Sequence, residues 1–371
     1  MKAALLTLPI GYGILARIYA ITSKIMEGCC KMKLKFGVRL PVSGPLADYA
    51  AIRKISETAD ALGFDAVTIH DHISTSYAAR YHNAGGLAEQ VDERDRAGLP
   101  VTNFYESIAT LSVVAGWTQH VRLVPSTLVL PYRHAVLFAK QCATLSILSN
   151  GRLVCCIGIG SLESDFEVMN IPFREKGKIM DDYLEAIHSI FSPEKKITHA
   201  GKYIHFEDKE FYPKPKNMPI WIAGHFNPIV YGRIAKYGNG WITTGTPKDF
   251  AEGLATIRKV HLPKYGRQDN IEVGTQTFLT LADNLDAAQK IARYTIENYF
   301  NGKESDGRRE AMVQKMFENA LVGSPKEISR KLEEYQKTGV SFFDMRLIRG
   351  DLNGTLEMLR LFAREVMPSF S

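Results

Sequence analysis

The sequence predicts a single α/β domain built as a (β/α)8 barrel, and three observations predict it. From residue 34 onward, short β-branched and aromatic runs alternate eight times with longer helical segments, the pattern of parallel strands joined by crossover helices. The chain has 371 residues, and α/β barrels commonly run from about 250 residues upward as one unit. Polar or glycine-containing turns follow several strands, where barrel enzymes place their active sites.

The eight predicted strands are spaced along the chain with a helical segment behind each. In order they are Leu34 to Leu40, Ala66 to Ile69, Val121 to Val129, Leu153 to Ile159, Ile220 to Ala223, Gly240 to Thr243, Val273 to Thr280 and Phe342 to Leu347. Eight strand and helix pairs favour a closed barrel over an open sheet.

Two helix starts carry local signals. Asn103 with Glu106 three residues later reads as a capping box. Ser324 with Glu327 reads as a second one, opening a helix from Pro325 to Thr338 with proline in its first turn.

Three connections are longer than ordinary loops, which predicts insertions after strands two, four and seven. They are His72 to Thr102, Ile197 to Pro219 and Tyr299 to Val322, and the second reads as a β-hairpin. No internal repeat or linker interrupts residues 32–371, so we expect one barrel domain there.

Residues 1–31 are apolar but are interrupted by Pro9, Gly11, Gly13 and Arg17. They make a poor signal peptide and are too broken for a spanning helix. Because the segment from Met32 looks like the natural opening of a barrel protein, we expect translation to start at Met32, with residues 1–31 an N-terminal extension that is not native.

Composition excludes several classes of function. Lys and Arg number 46 against 40 Asp and Glu, a net charge of +6, and they are scattered, so we expect no nucleic-acid partner. The five cysteines show no Cys-x-x-Cys spacing, which fits a reducing cytoplasm and disfavours a disulfide framework or zinc site. Adjacent Cys155 and Cys156 should be buried on opposite faces of strand four.

Chemistry-bearing residues follow the strands. Strand two ends in His70, Asp71 and His72, but neighbouring residues diverge in direction and no second ligand cluster accompanies them, so we expect no metal site. Strand four runs into Gly158 and Gly160, where exposed backbone N–H groups can meet an anion.

Ordered sequence blocks follow strands two to six and resemble those of the luciferase-like, flavin-dependent oxidoreductase family. The blocks are His70-Asp71-His72, Val124-Pro125-Ser126-Thr127, Gly158-Ile-Gly160-Ser161 trailed by Ile171-Pro172-Phe173, Pro219-Ile-Trp-Ile-Ala-Gly224 and Gly238-Asn-Gly-Trp-Ile-Thr-Thr244-Gly245. The resemblance covers essentially Met32 to the C-terminus. It implies a barrel with a flavin-type ring bound at the strand ends.

The resemblance also implies roles for particular residues. His72 matches the catalytic histidine, and a non-prolyl cis peptide is expected at Thr127–Leu128. The phosphate of the cofactor would lie toward strands five and six. The cofactor-binding residues implied are Asp71, Ser126, Thr127, Gly158, Gly160, Ser161, Ala223, Gly224, Thr244 and Gly245.

Two chemistries remain open within the resemblance. One is monooxygenation with reduced FMN supplied by a partner flavin reductase, and the other is hydride transfer with the deazaflavin coenzyme F420. Either would act on a small organic substrate, and the family resemblance implies a homodimer or tetramer without a membrane partner. Arg346 and Arg349 would favour an anionic substrate at a mouth also lined by Tyr77, Tyr81 and His82.

Two alternatives stay open beside these chemistries. Ser161 stands where the family commonly has tryptophan or glutamate, which leaves a non-catalytic flavin-binding barrel possible. A barrel metal hydrolase would require a metal ion at His70 and His72.

Overall fold

The structure is a computed structural model that describes residues 32–43, 46–73, 103–299, 314, 317–347 and 351–371. The predicted N-terminal extension, residues 1–31, and most of the predicted insertion after strand two lie outside the described residues. So do four residues predicted at the mouth of the site: Tyr77, Tyr81, His82 and Arg349.

The predicted (β/α)8 barrel is confirmed. Its eight strands are β1 Lys35–Arg39, β2 Ala66–Ile69, β3 Arg122–Pro125, β4 Cys155–Gly158, β5 Ile220–Ala223, β6 Gly240–Thr243, β7 Glu272–Leu281 and β8 Phe342–Leu347. Parallel pairing runs from β3 through β2 and β1 to β8, and on through β7, β6 and β5 to β4. A parallel bridge between Leu123 and Leu153 closes the ring.

The sequence predicted the third strand as one run from Val121 to Val129, but the structure divides this run into two strands. β3 ends at Pro125, and the chain rejoins β4 only at the short strand Leu128–Val129, where Leu128 pairs with Ile157. The cis peptide bond is Ser126–Thr127. The prediction of Thr127–Leu128 was therefore wrong by one residue, because Leu128 is already back in the strand ladder.

The α-helices lie outside the barrel. Those described are α1 Tyr49–Ala61, α2 Ser107–Trp117, α3 Ala135–Leu148, α4 Glu163–Val168, α5 Lys176–Phe191, α6 Pro228–Tyr237, α7 Pro247–Thr256, α8 Leu285–Tyr299, α9 Pro325–Gln336 and α10 Leu352–Glu365. Shorter helical turns are Leu130–Tyr132, Phe173–Glu175, Ile257–His261, Leu262–Tyr265 and Met367–Phe370. The described part of the chain contains no helix with both the length and the apolar surface needed to span a membrane.

One of the two predicted capping boxes is confirmed. Ser324 and Glu327 exchange both hydrogen bonds of a capping box at the start of α9, which ends at Gln336 rather than at Thr338. Lys337 and Thr338, which were predicted to be helical, therefore form a turn.

The capping box predicted at Asn103 was wrong. α2 begins at Ser107, and the carboxylate of Glu106 caps it by accepting a 2.6 Å hydrogen bond from the Ala109 amide. Asn103 instead donates its side-chain amide to the carbonyl of Ala47, 3.0 Å away, and so fixes the preceding loop.

The predicted hairpin in the connection before β5 is present. Its strands, Ile197–Ala200 and His205–Lys209, pair antiparallel. The Asp182 carboxylate on α5 anchors the hairpin through His199 Nε2 and the Tyr203 amide, each 2.6 Å away. After β7, the strand Leu321–Gly323 adds to that strand in parallel.

Ionic contacts close the amino-terminal end of the barrel. Glu272 at the start of β7 accepts hydrogen bonds from Lys35 at 3.1 Å and from Arg122 at 3.0 and 3.1 Å. The Arg122 guanidinium also lies over the rings of Trp221 and Phe342, 5.5 and 5.3 Å from their centroids. Strands β1, β3, β5, β7 and β8 are therefore joined at this end.

Buried side chains fill the barrel interior above this ionic layer. Cys156 belongs to the interior cluster, whereas Cys155 belongs to the core between strands and helices, so the predicted opposite orientation is confirmed. The interior cluster consists of Ala66, Val124, Val154, Cys156, Trp221, Ile242 and Phe342. A ligand can therefore enter the lumen only from the carboxyl ends of the strands.

Replacement of Glu272 by Gln should lower the free energy of unfolding at pH 7 by about 1–3 kcal/mol, because two half-buried cations lose their counter-charge. Burial alone would raise the pKa of Glu272, but Arg122 and Lys35 lower it below 4.5. Its stabilisation is therefore present above pH 4.5 and is lost as the pH falls through the lowered pKa.

Urea unfolding at pH 7 and on the acid side of that pKa measures the difference between wild type and Glu272→Gln, which should shrink in acid. The matched control is Glu57→Gln, which breaks an exposed pair with Arg53 on α1 and should cost at most about 0.5 kcal/mol. An equal loss of stability at both pH values contradicts the assignment.

Candidate functional site

A cavity of about 450 Å³ opens at the carboxyl ends of the strands. Its volume lies within the range of about 300–1,000 Å³ that small-molecule sites occupy. Ten of the eleven predicted site residues line it: His72, Asp71, Ser126, Thr127, Gly158, Gly160, Ser161, Ala223, Gly224 and Thr244. The eleventh, Gly245, is buried behind the wall, where a Cβ atom would come within 2.5 Å of the Phe226 ring.

Cross-barrel contacts hold the segment that follows β3. The side-chain amide of Gln276 on β7 donates to the Ser126 carbonyl at 3.0 Å and to its hydroxyl at 2.8 Å. Thr127 donates its hydroxyl to the Cys156 carbonyl at 3.0 Å. A Cβ atom on Gly158 would lie 2.5 Å from the Thr127 methyl group, so glycine is what lets β4 approach this segment.

Gly160 forms the turn after β4 with a φ of +80°. A Cβ atom there would lie 2.7 Å from Val129 and 2.9 Å from the Phe166 ring, so conformation and space both require glycine. Lys176 donates to the Gly160 carbonyl at 3.1 Å and sits 3.5 Å from the centroid of the Phe173 ring. Partial burial lowers the pKa of this lysine.

Asp71 is a clamp rather than an open ligand group. One carboxylate oxygen accepts from the Ser107 hydroxyl at 3.0 Å and from Arg133 at 2.8 Å. The other accepts from the Val129 amide at 2.8 Å and from Arg133 at 2.5 Å. Burial alone would lower the pKa of Arg133, but Asp71 and Glu106 raise it. Both Asp71 oxygens are thus engaged by the protein.

His72 is held by a buried carboxylate on α4. Its Nδ1 lies 3.1 Å from Oδ2 of Asp165, which is fully buried. The same oxygen accepts from the Tyr132 hydroxyl at 3.2 Å and from the Ile73 amide at 3.4 Å. Because a carboxylate only accepts, Nδ1 carries a proton and Nε2 is the nitrogen that can exchange one in the neutral ring.

Tyr132 remains a donor in this group, since burial and the nearby Asp165 charge raise its pKa. Sequence reasoning missed Asp165, which lies on the short helix α4 after the Gly-x-Gly turn. Glu163 and Glu167 flank it on the same short helix and are exposed, while Asp165 and Phe166 are buried. Adjacency to a core aromatic residue is the signal that marks Asp165.

The wall after β5 and β6 differs from its prediction at Gly224 as well as at Gly245. The Gly224 amide donates to the Ile242 carbonyl at 3.2 Å, so it belongs to the strand ladder and is not open to a ligand. Its carbonyl accepts from Trp241 Nε1 at 3.0 Å. Thr244 is exposed on the cavity wall and keeps the predicted position beside Ala223.

The cavity also contains polar residues that were not predicted to bind cofactor. They are His70, Lys176, His225, Thr243, Gln276 and Arg346, of which Arg346 was predicted at the mouth. Across the described ranges, no group of three or more His, Cys, Asp or Glu side chains is arranged to hold a metal ion. The polar lining therefore offers hydrogen-bond donors and three histidines, His70, His72 and His225, which suit an anionic or heteroaromatic ligand.

The sequence matches the family model for luciferase-like monooxygenases over residues 32–341. The chain belongs to the luciferase-like monooxygenase family. An FMNH2-dependent dimethylsulfone monooxygenase of Pseudomonas fluorescens is 20% identical over 343 residues, which cover 85% of this chain and 85% of the relative.

Solved structures of similar fold include a monooxygenase and a reductase that depends on coenzyme F420. The monooxygenase RslO1 of Streptomyces bottropensis has a TM-score of 0.72 and 19% identity, over 91% of this chain and 100% of that one. A coenzyme F420 dependent tetrahydromethanopterin reductase of Methanopyrus kandleri has a TM-score of 0.68 and 20% identity, with the same coverage. At this identity both support the fold of this family member.

Replacement of Gly158 by Ala should lower the free energy of unfolding by about 1–3 kcal/mol, because the added methyl group overlaps Thr127 in a packed wall. The matched control is Gly232→Ala on α6, where a Cβ atom meets nothing within 4 Å and alanine favours the helix by up to about 1 kcal/mol. Urea unfolding measures both. Equal free energies of unfolding for the two variants would contradict the prediction, because the wall would then accommodate the added methyl group without cost.

Proposed function

We propose that this protein is an oxidoreductase that acts on a small organic substrate with a flavin-type cofactor, either reduced FMN or coenzyme F420. One observation carries the proposal: ten predicted residues from the ends of five strands converge on one cavity, and among them His72 is held by the buried Asp165. The family relatives named above, which use FMNH2 or F420 by their names, support the same class of reaction.

The residues present fit a flat ring and a phosphate. Gly158 and Gly160 contribute only backbone to the cavity wall, because the space that their side chains would fill is taken by Thr127, Val129 and Phe166. Ser126 and Thr127 would hold one edge of the ring. Thr244 would donate to the phosphate at the far wall, where its exposed hydroxyl lies.

When bound, FMN would supply oxygen activation, whereas F420 would supply a hydride. The protein itself would contribute proton transfer and the positioning of the bound molecules. Asp165 holds the Nδ1 side of His72, so Nε2 is presented as the proton-exchanging atom. Gln276 keeps Ser126 against the cavity, and the filled lumen beneath excludes water from below. A flavin reductase partner and a homo-oligomer remain predictions from the sequence.

Anaerobic equilibrium titration with reduced FMN and with F420 tests the proposal. We expect one of them to bind at least about tenfold more tightly than the other, since the two differ in ring chemistry and tail charge. Preference for FMN predicts oxygen insertion with a reductase partner, and preference for F420 predicts hydride transfer. Absence of binding by both cofactors contradicts the proposal.

Replacement of His72 by Gln should lower turnover by about 10²–10⁴-fold, because proton transfer contributes in the transition state. Cofactor affinity should stay within about tenfold. Asp165→Asn should also lower turnover. It should change the pH dependence of the rate, because it replaces the carboxylate that holds His72 Nδ1.

The matched control is His120→Gln, at an exposed histidine before β3. Rates are measured on a substrate that the wild-type enzyme converts, and cofactor affinity is measured by titration. If His72→Gln keeps the turnover of the wild type, the histidine takes no part in the reaction.

A further inference from the structure

The wall segment after β3 carries two neighbouring hydroxyl groups, and the protein engages them in opposite senses. Thr127 donates its hydroxyl proton to the Cys156 carbonyl at 3.0 Å, so that proton is already used. The Ser126 hydroxyl instead accepts a hydrogen bond from the side chain of Gln276 at 2.8 Å. No acceptor for the Ser126 proton lies among the residues that the structure describes. Ser126 is therefore the hydroxyl whose proton is left for a ligand.

The Ser126 carbonyl fixes the orientation of the Gln276 amide. A carbonyl oxygen can only accept, so the amide atom that lies 3.0 Å from it is the nitrogen, Nε2. Nε2 also donates to the Ser126 hydroxyl, and both of its protons are then used. The other atom of the amide group, Oε1, is an acceptor that makes neither contact.

Oε1 of Gln276 is open to the cavity. Gln276 is only partly buried, and it lines the cavity together with Ser126. Within the described ranges no group donates to Oε1, and this oxygen is not one of the buried atoms left without a partner. A hydrogen-bond donor on Ser126 and an acceptor on Gln276 therefore stand side by side on one wall.

This donor and acceptor are held in place before a ligand arrives. The Ser126 amide donates to the Ile69 carbonyl of β2 at 2.6 Å, while its carbonyl and hydroxyl both bind Gln276. Ser126 is only 3% exposed. Gln276 lies in the middle of β7, which pairs with β6 on one side and β8 on the other. Because the pair is already ordered, a ligand that matches it loses little conformational entropy of the protein on binding.

A neighbouring donor and acceptor select a ligand edge with the complementary order, a carbonyl beside an N–H group. A phosphate or carboxylate offers only acceptors, so one of its oxygens would face Oε1 without a proton between them. A cyclic amide offers both groups on one rigid edge. The pyrimidinedione ring that FMN and F420 share has such an edge, with the N–H group at N3 flanked by ring carbonyls.

We propose that Ser126 and Gln276 bind the pyrimidinedione edge of the flavin-type ring. Ser126 donates to a ring carbonyl, and Gln276 Oε1 accepts from N3–H. The inference rests on the proposed function, because it assigns this wall to the cofactor. It gives Gln276 a ligand contact in addition to its hold on Ser126. Since both cofactors carry this edge, other residues must select between FMN and F420.

Methylation of N3 tests the acceptor on Gln276. The probes are reduced FMN and reduced 3-methyl-FMN, titrated anaerobically, or F420 and its 3-methyl derivative where F420 is the coenzyme that binds. We expect the wild-type protein to bind the methylated probe at least about tenfold more weakly, because Oε1 is then desolvated without a donor.

Two variants assign the contacts. Gln276→Met keeps the side-chain volume and removes the acceptor, so both probes should bind with affinities within about threefold of each other. Ser126→Ala removes the donor to the ring carbonyl and should weaken the binding of the unmethylated probe at least about threefold. The matched control is Gln119→Met, at an exposed glutamine before β3, which should keep the wild-type affinities. Urea unfolding curves show whether each variant is folded.

The outcomes separate this inference from the proposed function. Equal affinity of the wild type for the methylated and unmethylated probes overturns the inference while the proposed function stands. A wild-type preference that persists in Gln276→Met also overturns it, because limited space at N3 then rejects the methyl group. Wild-type affinity in Ser126→Ala overturns the donor contact, and this variant decides where Gln276→Met does not fold. Absence of binding by both FMN and F420 contradicts the proposed function and the inference with it.

Discussion

The buried Asp71 carboxylate is the interaction on which the site depends. It ties the end of β2 to the start of α2 and to the segment after β3 through four hydrogen bonds. The Ser126 amide still donates to the Ile69 carbonyl of β2 at 2.6 Å, but sheet pairing is interrupted at Thr127 before it resumes at Leu128. Asp71, together with the cross-barrel amide of Gln276, replaces the missing ladder. Because His72 follows directly in the chain, the same clamp sets where the histidine stands.

The sequence predicted the architecture well because short apolar strands bounded by turn residues are a local signal. β2, β5, β6 and β8 occur at the predicted residues. The partners in the site were not predictable in this way, since Asp165 lies 93 residues from His72 and Gln276 lies 150 residues from Ser126. The Arg39–Asp344 pair spans 305 residues. Glycine turns and hydroxyl residues were found by pattern, but the buried pairs required the closed barrel.

The cavity divides into two chemically different halves. The β3 to β6 half offers glycine backbone and hydroxyl groups to a ligand. The β8 to β2 half holds Arg346 above the Arg39–Asp344 pair and His72 beside Asp165. Position and proton handling are then what the chain adds to the chemistry of the cofactor.

A crystal structure of the protein with its preferred cofactor tests this division most directly. The account predicts ring density against Ser126, Thr127 and Gly158, with the phosphate near Thr244. Density that places the phosphate on Arg346, or the ring outside this cavity, would contradict the account.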